Sequence, residues 1–145
     1  SLIDKSRLPG APQHGIGRPC KVGKEEIVGL VTALRLFVQE DPGTRRSRWL
    51  ALMEALVAAL RGLPHAKVEL VADGRSPEVP VVQLTLDERG AGMSALELIT
   101  RLQAGDPSIH ANPSRVREGV VLFGPMCLRE DELELIGRRL RTLLA

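Results

Sequence analysis

The chain has 145 residues, 43% apolar and 26% charged, which suits one domain with its own core and excludes a disordered polymer. A net charge of +2 gives no electrostatic case for nucleic acid or a membrane surface, and no run of about 18 apolar residues marks a membrane span. Only 2% of residues are aromatic, so a base-stacking platform has little to build on and aliphatic side chains must form the core.

Residues 1–23 read as an irregular arm, broken by Pro9, Gly10, Pro12, Gly15, Gly17, Pro19 and Gly23. An arm of this length is expected to be pinned to something. From Lys24 the pattern changes. Ile27, Leu30, Val31, Leu34, Phe37 and Val38 recur at helical spacing and form one apolar stripe, with Glu25 and Glu26 in the first turn, where the macrodipole favours acids. Asp41-Pro42-Gly43 reads as the end of this helix. A second helix is expected from about Thr44 to Arg61, with a stripe of Trp49, Leu52, Met53, Leu56, Val57 and Leu60, stopped by Gly62 and Pro64.

Lys67 to Ala72 and Val79 to Leu86 read as strands joined by a turn over Asp73 to Pro77, with Pro80 placing the second strand at an edge or starting it late. Ser94 and Glu97 form a capping-box pattern ahead of a short helix carrying Leu96, Ile99 and Leu102. Ser108 to Ala111 and Gly119 to Phe123 read as two more short strands. A last helix spans about Arg129 to Leu144, with Leu133, Ile136, Leu140, Leu143 and Leu144 facing inward. The expected fold is therefore α+β: a small antiparallel or mixed sheet of about four strands packed with helices, an arm over 1–23 and the α+β domain over 24–145.

Arg18, Lys21 and Lys24 stand among glycines directly before the first helix, in GIGRPCKVGKEEIVGL. Glycine lets a ligand approach the backbone, a guanidinium grips an oxyanion as a fork, and an ammonium adds a point charge. Free N–H groups at a helix start would add positive potential. An anion site is one reading, with His14 and Lys24 in support; a solvated loop leading into a helix is the other. Neither the GxxxxGK[ST] nor the GxGxxG loop is present. The Arg45/Arg46/Arg48 and Arg138/Arg139/Arg141 clusters read as solvated helix faces. Cys20 and Cys127 lack CxxC spacing, and His14, His65 and His110 show no metal-ligand spacing. Free thiols in a reducing, cytoplasmic compartment and no metal are therefore expected.

The stretch GIGRPCKVGKEEIVGLVTAL resembles the segment that joins the large and small domains of fold-type I pyridoxal-phosphate enzymes. It is most similar to the group around bacterial L-seryl-tRNA(Sec) selenium transferase and the related sugar-acid ammonia lyases. The stretch GDPSIHANPSRVREGVVLFGPMCLREDELELI resembles the end of the small domain in the same group. Lys21 stands where the transferases carry a second Arg and Gly23 where they carry Asp, which places the sequence nearer the lyase branch. The resemblance implies a small domain of a larger oligomeric enzyme. Arg18 and Lys21 would bind the anionic group of a small amino-acid or sugar-acid substrate, and the cofactor lysine would come from a large domain upstream. It leaves tRNA as a partner without support from charge. The alternative is a freestanding α+β module that binds protein or RNA.

Overall fold

The computed structural model describes residues 22–72 and 79–145. They fall into two compact units, residues 22–40 and the described residues from 41 on.

In the first unit, helix α1 (Lys24–Gln39) starts from Gly23, whose extended backbone (φ −72°, ψ 161°) is the usual entry to a helix. Glu25 and Glu26 occupy its first turn. None of its residues is buried. Ile27, Leu30, Val31, Leu34, Phe37 and Val38, the stripe seen in the sequence, are 41–79% exposed.

The second unit opens with α2 (Pro42–Ala59), and here Asp41-Pro42-Gly43 corrects the sequence reading. The triplet starts a helix as well as ending one. Asp41 is the N-cap; its carboxylate accepts hydrogen bonds from the Thr44 backbone N–H (2.7 Å) and hydroxyl (3.0 Å). Proline fits the first helical position because its missing N–H would have had no helical partner. At the other end Gly62 takes φ 70°, a left-handed conformation suited to glycine.

Three antiparallel strands follow in the order β1 (Ala66–Val71), β2 (Val81–Leu86) and β3 (Val120–Phe123). Ala66 pairs with Leu86 and Val71 with Val81; Val82 pairs with Phe123 and Thr85 with Val120. The central strand begins immediately after Pro80, which therefore removes no ladder hydrogen bond. Along β2 the alternation is complete: Val82, Leu84 and Leu86 are buried, while Val81, Gln83 and Thr85 are half-buried. The fourth expected strand is reduced to a single bridge between Asn112 and Leu122, because the segment Ser108–Ala111 has no further ladder with β3.

Helices α2, α4 (Ala95–Gln103) and α5 (Leu133–Leu144) pack on one face of this sheet. Met53, Leu56 and Leu60 of α2 meet Leu98 and Leu102 of α4, Leu140 of α5 and the buried side of β2 in one aliphatic cluster. Burying each such leucine contributes about 1.5–3 kcal/mol. Ser94 caps α4 by accepting from the Glu97 N–H (3.1 Å). A short helix missed by the periodicity, α3 (Glu88–Ala91), brings Glu88 to the same helix start, where its carboxylate accepts from the Ala95 N–H (2.7 Å). Among the described residues no helix is long and apolar enough to cross a membrane.

Candidate functional site

His14, Arg18 and Lys21 lie outside the described residues, as does Cys20. Of the basic group only Lys24 is described, exposed at the first position of α1. The local geometry bears on what the helix start contributes. Gly23 offers no capping side chain, but Glu25 and Glu26 fold back toward it. A Cβ added to Gly23 would collide with the Glu26 carboxylate and come within 3.0 Å of the Glu25 carboxylate. The positive pole of α1 therefore faces carboxylates of its own chain.

A second feature was only partly visible in the sequence. In the second unit, a half-open cleft of about 310 Å³ lies between residues 107–112, the end of β3 and the start of α5. Ile109, Phe123 and Ile136 give it an apolar floor, and Ser108, His110, Asn112, Cys127 and Glu132 also line it. Ser108 Oγ lies 2.6 Å from the Gln103 carbonyl and 3.1 Å from His110 Nε2. Serine has one hydroxyl proton, and the carbonyl can only accept it. Ser108 is thus set to accept from His110 Nε2.

Glu132 is committed elsewhere: it accepts from the Arg129 N–H (2.9 Å) in the turn that leads into α5. Cys127 is a free, exposed thiol. The Ser108 hydroxyl, within reach of His110, donates to the Gln103 carbonyl. What the cleft offers is an apolar floor with a hydrogen-bonded imidazole at its edge. His110 falls in the expected strand over Ser108 to Ala111, but it lies on an irregular segment. The signal for its neighbours was the two-residue spacing of Ser108, His110 and Asn112, which puts all three on one side of extended backbone.

Of the described lysines, Lys24 is exposed on α1, and Lys67 is 71% exposed on β1 and paired with Glu69 at 2.8 Å. Lys5 and Lys21 lie outside the described residues. Among the described residues no group of three His, Cys, Asp or Glu side chains could hold a metal.

No family model matches the chain. It is 34% identical over 134 residues to a 5'-C-glycyluridine monooxygenase-decarboxylase of a Streptomyces species. It is 30% identical over 133 residues to the D-glucosaminate-6-phosphate ammonia lyase of Salmonella typhimurium. Each alignment covers 92% of this chain, whereas the chain spans only about a third of each relative's length (34% and 35%). A solved structure of D-glucosaminate-6-phosphate ammonia lyase superposes with a TM-score of 0.70 at 25% identity, over 90% of this chain and 34% of that one. The fold and the likeness to a sugar-acid ammonia lyase thus agree with what the two quoted stretches implied.

Proposed function

We propose that this chain is the C-terminal domain of a pyridoxal-phosphate-dependent lyase, and that residues 13–24 bring Arg18 and Lys21 to the anionic group of its substrate. The observation that carries this reading is the joint match to the ammonia lyase, in sequence over 92% of the chain and in fold over 90% of it. The two relatives' names describe different outcomes, loss of ammonia in one and oxidative loss of a carboxylate in the other. Their substrates share a feature nonetheless: an amino-acid or amino-sugar-acid unit bearing a carboxylate near an amine-bearing carbon. A carboxylate gripped by a fork of guanidinium hydrogen bonds is therefore the group we assign to Arg18, with Lys21 adding charge beside it.

Pyridoxal phosphate would supply an electron sink for chemistry at the amine-bearing carbon. The described residues do not fit that cofactor, so its lysine and most of its pocket fall to polypeptide beyond this segment. This chain's own part is binding and orientation. Arg18 and Lys21 hold the substrate anion. A small-domain transferase of the selenium type is the weaker reading, because Lys21 replaces a fork-forming arginine and Gly23 replaces an acid.

The test is Arg18→Ala and Arg18→Lys in the longer gene product that carries this segment. Alanine should lower kcat/KM for the anionic substrate by about a hundredfold, and lysine should restore part of it, since loss of a charge-assisted fork removes about 1.5–3 kcal/mol of binding. Thermal unfolding should not move, because Arg18 belongs to the arm. Equal kinetics in wild type and Arg18→Ala would remove Arg18 from the site.

A further inference from the structure

The chemistry of α1 does not match its surroundings. At 100° per residue, Leu30, Leu34, Ile27, Val38 and Val31 fall within an arc of roughly 100°, the width of stripe a helix uses to pack on a single surface. They are 62%, 52%, 49%, 79% and 41% exposed. Lys24, Arg35, Gln39, Thr32 and Glu25 lie on the other side, interrupted by exposed Val28 and bordered by exposed Leu36. A 16-residue helix is marginal in water unless its apolar face is covered. Five aliphatic side chains in one contiguous stripe are also more than isolated surface residues of the ordinary kind.

From these observations we infer that the Ile27–Val38 stripe docks against an aliphatic surface of the remaining two thirds of the same, longer polypeptide. This rests on the domain reading above. Two further points select that occupant. The relatives extend well beyond the matched third. The stripe is also small: a helix of this length covers roughly 24 Å by 10 Å, or about 250 Å² per side. A stable complex between separate chains needs about 800 Å² per partner, so a second copy held by this face alone would dissociate. A covalently linked surface meets the stripe at millimolar effective concentration, where so small a contact suffices. Arg35, at the border of the stripe, then sets the register, and a carboxylate on the docked surface is its natural counterpart.

Amide hydrogen exchange decides this, measured over residues 27–38 in the 145-residue chain and in the longer gene product. Exchange should be fast in the 145-residue chain and at least about tenfold slower in the longer product. Leu34→Asp in the longer product should abolish that protection, whereas Thr32→Asp on the polar side should leave it intact. Equal exchange in both proteins overturns the inference. So does protection in the 145-residue chain that grows with concentration, which would mean a second copy covers the stripe. The absorbance of lysine-bound pyridoxal phosphate, recorded on the same longer product, reports the enzyme reading separately. Protection without that band leaves the docking standing and removes the enzyme, and the band without protection does the reverse.

Discussion

Gly137 of α5 packs tightly against the end of α2, and it gives a test of the packing in which two effects oppose each other. A Cβ added to Gly137 would lie 2.9 Å from the Ala59 carbonyl oxygen and 3.1 Å from Arg141 Nη1. The oxygen is backbone and already accepts a hydrogen bond from Arg141 Nη2 at 2.6 Å, so it cannot yield without moving the end of α2. Forcing helices apart in this way costs about 1–3 kcal/mol. Alanine also gains about 0.8–1.0 kcal/mol of helix propensity over glycine. Gly137→Ala should therefore come out about 1 kcal/mol less stable than wild type. Gly137→Val keeps little of the propensity gain, adds two methyl groups at the same contact, and should lose about 3 kcal/mol. Urea unfolding of the chain, followed by circular dichroism with the m-value held common, measures both. A Gly137→Ala protein more stable than wild type by about 1 kcal/mol would show propensity winning and the α2–α5 contact to be loose, contrary to the structure.

Leu84→Ala, on the buried side of the central strand, should destabilise the unit by about 2–5 kcal/mol in the same assay, because Leu84 is fully buried and the sheet and three helices close around it. His65 sits at φ 55°, a left-handed conformation that disfavours a Cβ; His65→Gly should raise stability by about 0.5–1 kcal/mol, read as a shift in urea midpoint. The hydrogen bonds from Thr44, backbone first and hydroxyl second, hold the Asp41 carboxyl below the usual carboxylate range. The folded pKa is thus lower than the unfolded one, so this contribution is present above the unfolded pKa and lost as pH falls through the folded one. Asp41→Asn should accordingly lose less stability than wild type between about pH 5 and pH 3.

Much of the second unit was legible because its signals are local. The 3.6-residue spacing of Met53, Leu56 and Leu60, the two-residue alternation of Val82, Leu84 and Leu86, the break at Pro80 and the Ser94 cap all act within a few residues of themselves. Three features were not local, and the reading faltered at each. Asp41-Pro42 ends one helix and caps the next, and the same residue types serve both purposes. Ser108–Ala111 has strand-like alternation, yet strand identity depends on a neighbour, and β3 offers it only the bridge at Asn112. The stripe of α1 declared an apolar face without declaring what covers it. The cleft at His110 was hidden for a similar reason: its walls come from three stretches separated in sequence and brought together only by the sheet and α5. Arg18 and Lys21 were proposed from residue type, glycine context and the family resemblance, and they lie outside the described residues.

The most direct measurement is to locate the cofactor lysine. The longer gene product, loaded with pyridoxal phosphate, is reduced with borohydride, digested, and mapped by mass spectrometry for the pyridoxyl-modified lysine. The proposed division of labour requires one modified lysine, in a peptide outside these 145 residues, with Lys5, Lys21, Lys24 and Lys67 unmodified. Modification at one of those four, or no modified lysine at all, would contradict it.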